Sequence, residues 1–139
     1  MDLLTAEVIH FCLGLIIGLI GFYIWKDKRL ILFAIAISML IDLDHLIDYW
    51  LSSGHLSFNL REFLSGNYFC ASKKFYVIFH GYEYLVILLF LSLIFKKYKA
   101  YLLIGAMAIL AHLLFDVISN NIPFQSYSII FRIINNFSF

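Results

Sequence analysis

Four long apolar segments, separated by short charged or polar stretches, restrict this chain to folds that a membrane can accommodate. A membrane-spanning helix needs about 20 mostly apolar residues. Of the 139 residues, 63% are hydrophobic and 14% are charged, whereas soluble domains average roughly 45–50% apolar and about 25% charged residues. The sequence therefore predicts one all-α integral membrane domain over residues 1–139 and argues strongly against a water-soluble enzyme. The four predicted spans cover residues 8–25, 30–51, 75–95 and 100–119.

The segments outside these spans predict a bundle of two helical hairpins. Lysine and arginine clusters follow the first and third spans, and Pro123, which cannot continue a helix, follows the fourth. Residues 120–139 are aromatic and apolar but are interrupted by Gln125, Arg132 and several Asn and Ser residues. This tail is too short and too polar to cross a bilayer, so we expect it to lie in the membrane interface.

Basic residues near the span ends predict the orientation of the bundle. Six lie on one side and four on the other, so the first side is the expected cytoplasmic face and both termini are expected outside. The formal net charge of +1 provides no basic field for nucleic acid, and no nucleic-acid partner is expected. The six residues are Lys26, Lys28, Arg29, Lys96, Lys97 and Lys99, and the four are Arg61, Lys73, Lys74 and Arg132.

Histidines and carboxylates within the spans all fall in the same leaflet. Placing such charges inside a span costs about 2.5–3.5 kcal/mol each, so they are expected to have partners. Imidazole nitrogen and carboxylate oxygen suit Zn²⁺, Mn²⁺ or Fe²⁺, and the pattern predicts a site for one or two divalent metal ions near the extracytoplasmic side. The predicted ligands are His10, Asp42, Asp44, His45, His80, Glu83, His112 and Asp116.

Helical spacing groups several of these residues into pairs. His112 and Asp116 are four apart and His80 and Glu83 are three apart, so each pair is expected to share a helix face. A carboxylate such as Asp44 can bridge two ions, and Glu83 is expected to be a ligand or a general base. Asp44 and Glu83 are therefore the predicted catalytic residues.

Each of these residues, taken alone, has a simpler explanation. A single His80 or His112 is more often a hydrogen-bonded packing residue than a ligand. Asp48 is expected at the membrane interface, while Glu7 and His55 are expected to be solvated. The shared leaflet is what favours a common metal or proton site over these separate explanations.

Small residues continue the predicted inward face of the first span. Gly14 and Gly18 are four apart, a small-xxx-small spacing that lets helix backbones approach closely. This face predicts tight helix packing, and a homo-oligomer that uses it is a further expectation.

Two motifs resemble those of a known prokaryotic family. Asp42-Leu43-Asp44-His45 closes the second span and His112-Leu-Leu-Phe-Asp116 lies in the fourth. Together with His10, they are similar to the pattern of the small membrane-bound metal-dependent hydrolases, one member of which is regulated by LexA. The chain departs from that family at Ile41, where the family commonly has Pro. It also reads His80-Gly81-Tyr82-Glu83-Tyr84 where the family often has His-Arg-x-x-Thr-His.

The resemblance implies a metal-dependent hydrolase of the prokaryotic cytoplasmic membrane. Metal-activated water would attack a phosphoester or related bond, and the expected depth of the site points to a membrane lipid or lipid-linked substrate. Three alternatives remain: a divalent-metal or proton transporter, a haem or electron-transfer protein, and a non-enzymatic assembly protein. Transport requires polar residues in the opposite leaflet, whereas residues 15–24 and 85–95 are almost wholly apolar. Haem fits poorly among five or six carboxylates.

Overall fold

Helices account for most of this fold. The computed structural model describes residues 3–54, 57–66, 68, 72–120 and 122–138, so His55 and two tail residues, Asn121 and Phe139, lie outside the described residues. The α-helices are α1 (Leu3–Trp25), α2 (Arg29–Leu40), α3 (Asp44–Ser53), α4 (Leu60–Ser65), α5 (Glu83–Ile94), α6 (Lys99–Asn120) and α7 (Ile129–Ile134). Short 3-10 turns cover Ile41–Leu43, Lys96–Tyr98 and Phe124–Tyr127.

Three helical stretches are long and apolar enough to cross a membrane. They are Leu3–Trp25, Arg29–Ser53 and Lys96–Asn120, and they correspond to the first, second and fourth predicted spans. At 1.5 Å per residue, even the shortest measures about 35 Å, which exceeds the roughly 30 Å of a bilayer hydrocarbon core. The prediction of an all-helical protein able to span a membrane is confirmed for these three stretches.

The third predicted span, residues 75–95, is helical only over Glu83–Ile94, a length of 12 residues. These residues rise about 18 Å, so α5 alone does not reach across the hydrocarbon core. Residues 75–82 are not helical, yet His80 within them is fully buried. An apolar run predicts burial, but it does not distinguish a helix from a buried extended segment.

Glycines set the packing of α1 against α2. A Cβ atom on Gly18 would lie 2.6 Å from the Ile31 Cα, and one on Gly14 would lie 2.9 Å from the Ile35 Cα. The two backbones therefore approach closely, as the small-xxx-small spacing predicts. These glycines contact α2 of the same chain. The homo-oligomer expected through this face stays a prediction.

The long helices enclose two different apolar clusters. α1, α2 and α6 pack against one another, and α5 packs against α6. The first cluster lies near the α1–α2 connection and contains Leu30, Ala34 and Ile104. The second lies towards the opposite end of the helices and contains Ile41, Phe75, Val77, Ile109, Leu113 and Tyr127. The predicted site residues lie beside this second cluster.

The C-terminal segment packs onto residues 75–82. The backbone N–H of Tyr82 donates to the carbonyl of Tyr127 at 3.0 Å, and an isolated β-bridge joins Lys74 to Ser138. Arg132 on α7 is buried, with 1% of its surface exposed. The tail therefore covers the non-helical segment that carries His80.

Candidate metal centre

Four buried side chains from three parts of the chain bring nitrogen and oxygen ligand atoms together. Asp42 lies on the 3-10 turn between α2 and α3, His80 lies before α5, and His112 and Asp116 lie on α6. One ligand atom of each lies within 4.8 Å of the ligand atoms of the other three. We refer to these four residues as the metal tetrad.

The separations between the ligand atoms match the edges of a tetrahedral zinc site. His80 Nε2 lies 3.1 Å from Asp42 Oδ1 and 3.3 Å from Asp116 Oδ2. His112 Nε2 lies 3.4 Å from Asp42 Oδ1 and 3.2 Å from Asp116 Oδ2. The two Nε2 atoms are 3.2 Å apart. With zinc–ligand bonds of about 2.0–2.1 Å, neighbouring ligand atoms of a tetrahedral site lie about 3.3 Å apart, so one ion can contact all four residues.

The outward-facing nitrogen of each tetrad histidine is held by an acceptor. His112 Nδ1 lies 2.9 Å from the Ser38 carbonyl oxygen, and His80 Nδ1 lies 3.3 Å from Asp44 Oδ2. These oxygens can accept a proton-bearing Nδ1, which would leave both Nε2 atoms with lone pairs for a bound metal ion. Metal-ligating histidines typically have such partners on their other nitrogen.

His10 lies beside the remaining oxygens of both tetrad carboxylates and forms a hydrogen bond with that of Asp42. Its Nδ1 lies 2.8 Å from Asp42 Oδ2 and its Nε2 lies 3.3 Å from Asp116 Oδ1. The His10 ring also stacks on that of His112, with centroids 3.7 Å apart. Glu7, which is half-buried, forms a second group of ligand atoms with His10 and Asp42. Asp42 therefore belongs to both groups.

The 3-10 turn Ile41–Leu43 directs the acidic residues of the second span to different partners. Asp42 enters the tetrad, and the His45 Nε2 lies 3.0 Å from its Oδ1. Asp44 instead faces the Nδ1 atom of His80. A uniform α-helix would separate these residues differently, because a 3-10 turn has three residues per turn.

Two carboxylates of the second span hold the backbone of the segment that carries His80. Asp44 accepts a hydrogen bond from the backbone N–H of Phe79, and Asp48 accepts one from Tyr76 at 2.7 Å. The Asp48 side chain is fully buried within the protein, and its expected place at the membrane interface stays a prediction. Its hydrogen bond compensates a backbone donor that residues 75–82 cannot satisfy by forming a helix.

Glu83 forms hydrogen bonds with the residues at the start of α7. Its carboxylate accepts hydrogen bonds from Ser128 Oγ and from the backbone N–H groups of Ile129 and Ile130. Among the described residues, neither group of ligand atoms contains Glu83. The shared helix face predicted for His80 and Glu83 is also wrong, because α5 begins at Glu83 and His80 precedes it.

The charge of the tetrad favours a divalent cation. Asp42 and Asp116 are 7% and 3% exposed, and burying an uncompensated carboxylate costs several kcal/mol. Two carboxylates with two neutral imidazoles carry a charge of about −2, which a divalent ion neutralises. Zinc, manganese and iron all suit these donors.

The structure thus distributes the eight predicted ligands over distinct positions. Sequence reasoning missed the Ser38 carbonyl, because a backbone acceptor has no side-chain signature. It also counted Arg132 only for orientation, although a lone charge within the apolar run of residues 129–134 was a detectable signal. Four of the predicted ligands form the tetrad, namely Asp42, His80, His112 and Asp116. Two contact the tetrad carboxylates, namely His10 and His45. Of the other two, Asp44 contacts His80, and Glu83 contacts α7.

Comparison with known proteins finds no matching family model, no matching curated protein and no matching solved structure. Over the described residues, the fold and the site define the class: a helical protein with three helices of membrane-spanning length and a buried His/Asp cluster that can hold a metal ion.

Proposed function

We propose that this protein is a membrane-embedded metal-dependent hydrolase that acts on a phosphoester or related bond of a lipid or lipid-linked substrate. The observation that carries the proposal is the set of 3.1–3.4 Å separations among the tetrad ligand atoms. A divalent metal, when bound, supplies the Lewis acidity that activates water near neutral pH. The resemblance of the Asp-x-Asp-His and His-Leu-x-x-Asp motifs to a family of small prokaryotic hydrolases supports the same reaction class.

The residues around the tetrad would keep its donors oriented during turnover. His10 Nδ1 would hold the outer oxygen of Asp42, and Asp44 Oδ2 would hold the Nδ1 atom of His80. A hydrolytic zinc site needs a position for water besides its protein ligands. We therefore infer that fewer than four tetrad residues bind the ion throughout turnover.

The predicted catalytic residues have different support. Asp44 would act through His80 as a positioning residue. Glu83 as ligand or general base stays a prediction, and its three hydrogen bonds at α7 favour a structural task. A second ion would use Glu7 and His10, with Asp42 as the bridging carboxylate.

For the membrane arrangement, we propose that residues 75–82 and α5 together complete a fourth crossing. Non-helical backbone is tolerated at membrane depth where protein surrounds it, and this segment is covered by the tail and by α3 carboxylates. The tail would lie at the outer interface of a prokaryotic cytoplasmic membrane. The excess of basic residues at the opposite end favours an extracytoplasmic site.

The apolar end of the bundle disfavours transport. A transit path needs polar groups beyond the metal centre, whereas the described interior near the α1–α2 connection is formed by Leu30, Ala34 and Ile104. A closed site of four protein ligands is typical of structural zinc, so stoichiometric metal without phosphate release would favour a non-enzymatic assembly protein.

Metal content of the purified full-length protein tests the proposal. We expect stoichiometric zinc, manganese or iron in the wild type and at least a tenfold loss of affinity in Asp42→Ala and His112→Ala, because each removes one of the four donors. Ser92→Ala is the matched control, since Ser92 is a buried polar residue whose hydroxyl bonds the Leu89 carbonyl in α5, away from the tetrad. Full metal occupancy in both tetrad variants would overturn the ligand assignment.

Activity and flux then separate the enzyme from the transporter. The metal-loaded protein in nanodiscs is expected to release phosphate from phosphatidic acid or from a lipid-linked diphosphate, and His112→Ala is expected to abolish this release. Tetrad-dependent zinc flux into liposomes without any phosphate release would contradict the hydrolase and favour transport.

A further inference from the structure

Arg132 on α7 is a buried cation whose terminal nitrogens have no hydrogen-bond partner among the described residues. Its surface is 1% exposed, and neither Nη1 nor Nη2 has a hydrogen-bond acceptor among the residues that the structure describes. The guanidinium carbon lies 5.3 Å from the centroid of the Phe75 ring. Arginine stays protonated in proteins, and one cation–π contact replaces only part of the hydration that burial removes.

The neighbouring carboxylates already have other partners. Asp44 and Glu83 are the acidic groups whose charge acts on Arg132. Glu83 accepts hydrogen bonds from the start of α7, and Asp44 Oδ2 accepts them from His80 and Phe79. Asp44 Oδ1 has no hydrogen-bond partner among the described residues, so it does not pair with Arg132 there. Burial lowers the pKa of Arg132 below its ordinary value, although the two carboxylates oppose this shift. Among the described residues Nη1 and Nη2 have no acceptor, so these donors can bind an added anion.

One aromatic ring separates this guanidinium from the metal tetrad. The Phe75 ring, which lies under Arg132, is also 6.4 Å from the His80 ring, centroid to centroid. The ring of Tyr127 packs against both, at 5.4 Å from Phe75 and 6.5 Å from His80. The tail thus brings a cation to the same side of the bundle as the tetrad.

We propose that Arg132 binds the phosphate group of the ligand that reaches the metal tetrad. The planar guanidinium presents parallel N–H donors that match two oxygens of a phosphate, which lysine cannot reproduce. This inference rests on the proposed hydrolase for the place of the ligand and deepens it by naming its anionic group. That group belongs either to a lipid headgroup or to a free phosphate.

Binding of two probes to the full chain tests the proposal. Inorganic phosphate is titrated into metal-loaded protein in detergent by calorimetry, and nanodiscs with phosphatidic acid are compared with nanodiscs of phosphatidylcholine. Arg132→Gln is expected to weaken binding at least about tenfold, because two charge-assisted hydrogen bonds are lost. Arg132→Lys, which keeps the charge, is expected to fold and to bind with intermediate affinity.

Arg61→Gln is the matched control, since Arg61 is an exposed arginine on α4 and its loss changes the net charge equally. Unchanged binding in this control, together with loss in Arg132→Gln, supports the proposal. If Arg132→Gln loses affinity for both probes, Arg132 binds phosphate from either source. If it loses affinity for phosphatidic acid alone, Arg132 binds the phosphate of a lipid headgroup. Wild-type affinity of Arg132→Gln and Arg132→Lys for both probes overturns the proposal, as does an equal loss in Arg61→Gln.

Metal content in the same preparations separates this proposal from the hydrolase. Wild-type protein without stoichiometric metal, but with Arg132-dependent phosphate binding, would contradict the metal centre and leave the anion site standing. Stoichiometric metal, together with phosphate binding that is unchanged in the Arg132 variants, would contradict only the anion site.

Discussion

Near the α1–α2 connection, the long helices meet through small and apolar groups. Gly18 lies directly against the α2 backbone, and Leu30 and Ile104, both fully buried, lie against Gly21. At the opposite end the same helices meet through His10 on α1 and Asp42 at the end of α2. The apolar end is held by contacts that need no ion, whereas the polar end concentrates negative charge that a cation must balance. The effect of a substitution on stability should therefore depend on bound metal at the polar end and not at the apolar end.

Metal removal is expected to have the largest effect and to act on the polar end alone. At free metal of about a thousand times the dissociation constant, binding adds about 4 kcal/mol to the free energy of unfolding. EDTA should therefore lower the melting temperature of the wild type more than that of His112→Ala, as measured by circular dichroism in detergent. An equal response of the two proteins would contradict the difference between the ends.

A substitution at Gly18 is expected to destabilise the apolar end with or without metal. A Cβ atom would lie 2.6 Å from the backbone of Ile31, and forcing such an overlap costs about 1–3 kcal/mol. Gly18→Ala should lower the midpoint of thermal unfolding by the same amount before and after EDTA. Gly105→Ala is the control, because its Cβ would lie 3.5 Å from Phe33, an ordinary contact, and its stability should be unchanged or slightly higher.

Loss of the Asp44 carboxylate is expected to weaken metal binding without removing a ligand. Its contact orients the His80 ring, and removal of such a partner typically costs about 10–100-fold in metal affinity. Asp44→Ala should lie within this range in a competition titration with a zinc chelator, while Asp44→Asn, which keeps an acceptor, should lose less. If Asp44→Ala loses as much affinity as Asp42→Ala, Asp44 is itself a ligand.

The smallest expected effect lies at Asp27, in the α1–α2 connection. The Arg29 N–H donates to its Oδ1 at 2.9 Å and the Tyr101 hydroxyl donates to its Oδ2 at 2.8 Å, and these bonds lower the pKa of Asp27 below its ordinary value. A carboxyl group whose pKa is lowered by folding stabilises the folded state at pH values above its ordinary pKa. This contribution is lost as the pH falls through the folded-state pKa.

Asp27→Asn should therefore reduce the melting temperature slightly at neutral pH and converge with the wild type in acid. Tyr101→Phe removes one of the two bonds and should show a smaller change of the same sign. A pH-independent difference between Asp27→Asn and the wild type would show that this ionisation does not contribute.

Much of the fold follows from local composition. Long apolar runs predict the three helices of membrane-spanning length, and the spacing of Gly14 and Gly18 predicts the close approach to α2. The length of α5 was not predictable in this way, because the non-helical residues 75–82 are mostly apolar, like the helical residues that follow them. Their backbone donors are instead satisfied by Asp44, Asp48 and the tail.

The composition of the site was also partly readable, since ionisable residues confined to one leaflet indicate a shared centre. The sequence by itself determined that histidines and carboxylates would meet at one end of long apolar helices, because helix period and span order follow from residues near in sequence. Only the tertiary structure decided which of them touch: it joined Asp42 and His80 to α6, turned Glu83 to α7 and buried Arg132 beside Phe75. These choices depend on contacts between segments far apart in the chain, where side chains compete for one small volume and for the same hydrogen-bond partners.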